Sequence, residues 1–422
     1  MKEDFSVRGV RDLYPEVYAG LRYMFETWRK TALRYGFEEF EGPILETLQL
    51  YKIKSGEEIV SQLYNFTDRG GRELALRPEL TPTLARMVAR VQAQVPKPIK
   101  WFSIPRCLRY EKPQRGRLRE FFQFNVDIIG ETDELADLEV ISLAVDSLAN
   151  LGLGCEDFAV KINNRDFASG YFETLNIPDE KISALYKIID NARKAPQEQT
   201  NRKIDQMNLQ NFQKEAVHRY LSLSGTEALQ KVDFSNTGKE SLVRIFSLIN
   251  DAGLGKYCEF DPTIVRGLDY YTGIVFEIYD KSEEMRAICG GGRYNNLLQE
   301  FSGVQVPACG FGMGDVVLGE TLAAKCLLPE AGKSIDYYLV RISDQELPVL
   351  LKSARSLRNR GRSVEYSCRN EPVKKQMSRA SRAGAQKALI FGSDEISRGR
   401  VTQKDLATGQ ETEVELSSIL DK

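Results

Sequence analysis

Between Leu118 and Ile128 the even positions Phe122, Phe124, Val126 and Ile128 are apolar, and the odd positions are Arg119, Phe121, Gln123, Asn125 and Asp127. A strand alternates its side chains between two faces, so the odd set shares one face. A cation, an aromatic ring, amides and a carboxylate in one line are costly in a core. They suit the floor of a small-molecule site, with an exposed polar sheet face as the plain alternative. Arg106, Arg109, Lys112, Arg115, Arg117 and Arg119 concentrate six cations in the 14 residues 106–119, against Glu111 alone. Guanidinium forks bind phosphate oxygens two at a time, so two strands carrying this loop suit a triphosphate. The chain has no Gly-x-x-x-x-Gly-Lys-[Ser/Thr] run, so a bound nucleotide would not sit on a P-loop.

A second constellation is Val265-Arg266-Gly267-Leu268-Asp269-Tyr270-Tyr271-Thr272-Gly273, at the start of a strand bound for the core. An arginine there needs an anionic partner or water. The glycine clusters 290–292 and 310–314 read as tight packing more than ligand contact. His218 is the single histidine and lies in a polar helical context, so it reads as a solvated surface residue. No metal site is expected. The seven cysteines are scattered, with no Cys-x-x-Cys, and read as reduced buried thiols.

Several elements must position these residues. Val17, Leu21, Met24, Phe25, Trp28, Ala32 and Leu33 share one face of a first helix, with Pro15 in its first turn and Gly36 at its stop. Thr81-Pro82 reads as an N-cap followed by proline at the first helical position. Two antiparallel strands are expected near 99–110 and 118–129, joined by a basic loop. A helix over 134–151 aligns Leu135, Leu138, Ile141, Val145 and Leu148. Residues 171–252 read as polar helices inserted into an α+β domain, and strand alternation returns at 262–280.

The last segment reads strand (337–342), helix (347–360), strand (363–367), helix (372–383), strand (387–391), which predicts a small parallel α/β sheet. Residues 333–422 hold 17 Lys and Arg against 12 Asp and Glu, net +5, whereas the 422-residue chain is −2. This basic segment is either a solvated face or an electrostatic footprint for nucleic acid. The 42% apolar and 28% charged composition is that of an ordinary globular protein. No 18-residue uncharged apolar run predicts a membrane span, and Met1-Lys2-Glu3-Asp4 does not resemble a secretory signal, so a cytoplasmic location is expected.

Taken together, Arg77-Pro78-Glu79-Leu80-Thr81-Pro82, Leu108-Arg109-Tyr110-Glu111, Arg117-Leu118-Arg119-Glu120-Phe121-Phe122-Gln123 and Arg266-Gly267-Leu268-Asp269-Tyr270-Tyr271 resemble the signatures of histidyl-tRNA synthetases. Val7–Pro15 and Gly291-Gly292-Arg293-Tyr294 fit as well. Gly36–Glu46 resembles class II motif 1, Arg106–Asp127 motif 2, and Pro307–Leu318 sits where motif 3 belongs. Lys375-Gln376 and Gly384-Ala385 lie in a segment similar to the family's anticodon-binding domain.

The resemblance implies an α+β fold: a class II antiparallel-sheet catalytic core (1–170 and 253–328), a helical insertion (171–252) and a C-terminal α/β anticodon-binding domain (333–422). It implies ligation of L-histidine to tRNA(His), with ATP and Mg²⁺, by a homodimer. Arg109 and Arg266 would be catalytic, approaching the α-phosphate from two sides. Glu79, Thr81 and Gln123 would bind the α-ammonium of histidine. Asp127 and Tyr271 would bracket its imidazole, and Arg109, Arg266 and Tyr270 would complete the histidine site. ATP would be held by Arg109, Glu111, Arg117, Phe121 and Arg266.

One position departs from the pattern. Val317 stands where many members carry the motif 3 arginine that packs on adenine, and Arg293 is a candidate to replace it. The rival reading is a non-catalytic paralogue, the regulatory subunit of ATP phosphoribosyltransferase. Another class II synthetase or a pure RNA-binding module explains fewer of the residues.

Overall fold

The alternating run 118–128 becomes a ten-residue strand, Glu120–Ile129, inside the larger sheet of the molecule. The computed structural model describes residues 5–52, 62–192, 196–265, 271–282, 286–329 and 334–420. The chain divides into two units, Met1–Pro329 and Glu330–Lys422.

In the first unit the strands are β1 (Glu38–Glu39), β2 (Leu45–Thr47), β3 (Asn65–Thr67), β4 (Glu73–Leu76), β5 (Ile99–Ser103), β6 (Arg106–Leu108), β7 (Glu120–Ile129), β8 (Phe158–Asn164), β9 (Cys258–Phe260), β10 (Ile274–Asp280), β11 (Cys289–Arg293) and β12 (Ala308–Gly314). The large sheet has the order β1-β5-β7-β12-β11-β10-β8-β9. Six consecutive strands, β5 to β8 in that order, pair antiparallel, and only the edge strands β1 and β9 pair parallel. β6 pairs with the first part of β7. The strands β2, β4 and β3 form a small separate sheet.

The even face of β7 is the core face. Phe124, Val126 and Ile128 join Phe311, Met313, Phe276 and Ile278 in one buried cluster. Helices α1 (Pro15–Arg34), α2 (Leu48–Lys52), α3 (Thr81–Val91) and α4 (Glu134–Ala149) follow in chain order. The α1 residue Trp28 is fully buried and stacks on Phe124, with ring centroids 5.3 Å apart and planes 8° apart. Burying two large rings in this way anchors α1 to the sheet. Asp133 caps α4 by accepting the Leu135 N–H at 3.0 Å. Val17, Leu33 and Leu135, near helix ends, are exposed, so the buried stripes of α1 and α4 are shorter than the periodicity predicts. At α3 the N-cap is Leu80, without a side-chain bond. Thr81 and Pro82 instead fill the first two helical positions, so the helix starts one residue earlier than predicted.

Helices α5 (Arg165–Thr174), α6 (Asp179–Ala192), α7 (Gln197–Gln206), α8 (Asn211–Leu221), α9 (Thr226–Lys231) and α10 (Thr237–Asp251) occupy the middle of the chain. Phe167, Phe172, Tyr220, Leu242 and Ile245 bury their inner faces in the same cluster as the sheet. α11 (Gln299–Ser302) precedes β12, and α12 (Asp315–Ala324) follows it directly.

The second unit contains β13 (Ile335–Arg341), α13 (Leu347–Asn359), β14 (Val364–Tyr366), α14 (Val373–Arg382), β15 (Ala385–Phe391), β16 (Arg400–Asp405) and β17 (Glu411–Glu415). β14, β13 and β15 are parallel as predicted, but β16 and β17 add an antiparallel hairpin. This hairpin escapes pattern reading because its alternation is ionic. Lys404 faces Glu411 at 2.8 Å, and Arg400 reaches Glu413 at 3.1 Å.

All seven cysteines are free. Cys107, Cys289 and Cys309 are buried, whereas Cys326 and Cys368 are exposed, which corrects the expectation of uniformly buried thiols. His218 is half-buried on α8, 3.7 Å from Asp205. Among the described residues no helix is long and apolar enough to cross a membrane.

Candidate active site

Register across the large sheet places the odd face of β7 beside glycines. Asp127 pairs with Gly310, which pairs with Gly292; Asn125 pairs with Gly312, which pairs with Gly290. Paired residues share a face, so two strands next to β7 present almost no side chains there. The result is a shallow trough walled by Gln123, Asn125 and Asp127 on one side and by Val275 and Glu277 of β10 on the other. A Cβ on Gly310 would overlap Asp127 Oδ1, and one on Gly312 would overlap Gln123 Nε2, both well inside 3.0 Å. The glycines read from sequence as packing devices therefore make room for the candidate binding side chains.

The wall of the trough is rich in acceptors. Gln123 Oε1, Asn125 Oδ1 and Asp127 Oδ2 are buried and have no hydrogen-bond partner among the described residues. Buried acceptors left this way are costly unless a ligand donates to them. Asp127 is 3% exposed. Burial lifts its carboxyl to about 7, and a hydrogen bond from Tyr294 acts in the opposite direction. The Tyr294 hydroxyl donates to Asp127 Oδ1 at 2.5 Å. Tyr271 meets the Tyr294 ring edge-on, with centroids 6.4 Å apart. The structure thus brings Asp127 and Tyr271 together through Tyr294, a residue quoted within a motif but given no role by sequence reasoning. Its position directly after a glycine-rich strand was the available signal.

Glu79 and Thr81 are buried where β4 leads into α3. This connection is fixed by Arg77, whose guanidinium donates to Arg106 O at 2.8 Å and to Gly42 O at 2.7 Å. The Leu108 N–H donates to Arg77 O at 2.9 Å. Arg109 Nε donates to Pro78 O at 3.0 Å, and the guanidinium lies 5.2 Å from the centre of the Phe121 ring. Glu79, Thr81, Arg109 and Phe121 are therefore linked through one stretch of backbone.

The six cations of 106–119 do not act together. Arg106 lies over Phe122 on the core side and pairs with Glu120 at 3.2 Å. Arg119 donates to Glu111 O and Arg8 O, holding the N-terminal segment against the loop. Arg115 reaches Glu320 at 3.6 Å. Arg117 donates to Glu111 Oε1 at 2.6 Å, so these two candidate ATP residues are preset as a pair.

The α12 position also departs from the expectation. Val317 is 6% exposed and sits beneath the tip of this loop, with the Cβ position of Gly116 3.1 Å from Val317 Cγ2. Glu320 accepts the Gly116 N–H at 3.2 Å. Asp315 accepts from Arg11 at 2.6 Å and from the Phe122 N–H at 2.7 Å. Arg293 does not replace the missing arginine. It pairs with Ile128 through Cys309 on the core face, donating to Asp137 and to the carbonyls of Glu131 and Asp133. Arg266 and Tyr270 lie outside the described residues. No group of three or more His, Cys, Asp or Glu side chains suited to a metal ion occurs among the described residues.

An antiparallel six-strand core with helices on one face and an acceptor-lined trough on the other, joined to an α/β unit, defines a class II aminoacyl-tRNA synthetase fold. The family model for histidyl-tRNA synthetase matches residues 9–314, and that for the anticodon binding domain matches residues 336–422. The chain is 39% identical to the histidine–tRNA ligase of Opitutus terrae, over 97% of this chain and 95% of that one. It is 37% identical to the histidine–tRNA ligase of Haloarcula marismortui, over 98% and 96%. The crystal structure of histidyl-tRNA synthetase from Nostoc sp. PCC 7120 superposes with a TM-score of 0.82 at 25% identity, covering 99% of this chain and 98% of that chain. The chain belongs to the histidyl-tRNA synthetase family.

Proposed function

We propose that the chain joins L-histidine to tRNA(His) in two steps, with ATP as the activating substrate. The histidine carboxylate attacks the α-phosphorus of ATP, pyrophosphate leaves, and histidyl-adenylate forms. The terminal ribose hydroxyl of the tRNA then takes the acyl group and AMP departs. This chemistry depends on positioning and charge neutralisation more than on a dedicated acid or base.

In this reading Glu79, Thr81 and Gln123 take the α-ammonium, and Asp127 with Tyr271 brackets the imidazole. Arg109 and Arg266 neutralise the α-phosphate, with Arg266 and Tyr270 also closing the histidine site. Phe121 stacks on adenine, while Glu111 and Arg117 hold the nucleotide. Mg²⁺ arrives with ATP as part of the substrate. We place the catalytic core at 1–170 and 253–328, the helical insertion at 171–252 and the anticodon-binding domain at 333–422. A homodimer is supported by the exposed Phe5, Val7, Tyr14, Val17 and Tyr18 near the start of the chain. The cytoplasm is the proposed compartment, since ATP and tRNA are both substrates.

The observation that carries the reading is the line of buried acceptors at Gln123, Asn125 and Asp127, beside a glycine floor. An amino acid with an ammonium group and a ring N–H donates to such a line. The test is exchange of labelled pyrophosphate into ATP, with each of the twenty amino acids in turn. Exchange with histidine alone is the expected result. Exchange with none, from folded protein, would favour the non-catalytic paralogue, for which Val317 is the supporting residue.

A further inference from the structure

Tyr294 and Asp127 form a buried pair at the deep end of the trough. Tyr294 is 2% exposed and packs among Leu84, Val88, Leu297, Leu298 and Ala308. Its N–H donates to Ala308 O at 2.7 Å, so backbone and ring are both held. The hydroxyl occupies Asp127 Oδ1, and Oδ2 has no partner among the described residues. A carboxylate with two open oxygens invites planar side chains that present two parallel donors, as a guanidinium does. With one oxygen occupied, that fork-on-fork arrangement is blocked.

We propose that Tyr294 is a positioning residue for substrate selection: it makes Asp127 a single acceptor, matched to one ring N–H and mismatched to the forked donors of an arginine side chain. This rests on reading the trough as the histidine site. Tyr294 touches the carboxylate, and its selectivity acts through it. Gly310 serves the same end, because only a bare Cα leaves the Oδ1 side of the carboxylate free to turn toward the phenol.

The test is pyrophosphate exchange by the full chain with Tyr294→Phe, which keeps the ring and removes the donor. The expected result is a histidine KM raised about tenfold, the magnitude of one buried hydrogen bond, with kcat and the ATP KM nearly unchanged. Selectivity for histidine over arginine, measured as a ratio of kcat/KM, falls with it. Unchanged histidine KM and selectivity would overturn the proposal, as would histidine and ATP KM rising together, which marks general loosening of the trough. Asp127→Asn is the second variant, because its amide oxygen still takes the Tyr294 hydroxyl and keeps the buried pair. Its NH₂ cannot accept from a ring N–H, so histidine-dependent exchange is expected to be lost. Retained histidine KM in Asp127→Asn would also overturn the proposal. Absence of histidine-dependent exchange in the unsubstituted chain would instead overturn the underlying functional reading.

Discussion

Gly310 stands directly opposite Asp127 in the β7–β12 ladder, and a single methyl group on it would occupy the space of Asp127 Oδ1. Gly312 bears the same relation to Gln123, two residues along. These two glycines assign separate defects to separate parts of the substrate. Gly310→Ala is expected to damage side-chain recognition, raising histidine KM at least about tenfold by displacing a buried hydrogen-bonding group, and to lower the melting temperature because the added Cβ also meets the Val126 carbonyl at 2.5 Å. Gly312→Ala is expected to act on ammonium recognition through Gln123. Analogues that lack the α-ammonium and analogues with a modified imidazole, used as competitive inhibitors, separate the two defects. Equal losses for every analogue in both variants would contradict the assignment.

The Asp127 carboxyl sets a pH dependence. Burial raises it to about 7, whereas an unfolded aspartate titrates near ~3.9. A group raised in the folded state contributes its full stability below the unfolded value, and loses it as pH climbs through the folded value. Stability from Asp127 therefore fades between about pH 4 and pH 7. Melting temperatures of the unsubstituted chain should fall relative to Asp127→Asn across this range. A constant difference between the two would show that the carboxyl does not titrate there.

Val317 Cγ2 lies 3.1 Å from the Cβ position of Gly116, so a longer side chain at 317 would meet the seated loop. Val317→Arg is expected to lift the loop and raise the ATP KM at least about tenfold, with a lower melting temperature from burying a charge. An ATP KM below that of the unsubstituted chain would mean that the loop opens freely and that an arginine can reach adenine.

Arg266→Ala is expected to abolish histidine-dependent exchange while leaving the melting temperature within a few degrees. Near-normal exchange would remove the two-arginine account of the α-phosphate.

Truncation after Pro329 follows the division of the chain into two units. Exchange activity should persist in the shortened chain while charging of tRNA falls sharply. Equal charging kinetics in both forms would argue against an anticodon role for the C-terminal segment.

The sequence made one face of β7 legible because its alternation is strict over Phe121–Ile128 and mixes chemistries that a core rejects. It also made α1, α3 and α4 legible through their apolar spacing and, for α1 and α3, a proline in the first turn. The trough itself was not legible. Its shape comes from lateral register between β7, β12 and β11, and register is a property of pairing that a linear pattern does not carry. Glycine in a strand looks the same whether it serves packing or opens space for a neighbour. Arg293 misled for a related reason: its type suggested a ligand, but pairing turns it to the helix side, where Asp137 holds it. The β16–β17 hairpin was missed because opposite charges face each other on one side of it, and Val401 with Val414 is the one apolar pair on the other.

Arg293 and Tyr294 are consecutive, yet one ties the sheet to α4 and the other reaches Asp127 on the opposite side. A slip of β11 by one position would send a guanidinium into the trough and a phenol among the helices. Both errors would expose the chain to an unpaired buried group at once. This dipeptide therefore acts as a proofreading mark for strand alignment: the fold is accepted only in the frame that also builds the pocket, so misaligned chains lose stability and recognition together.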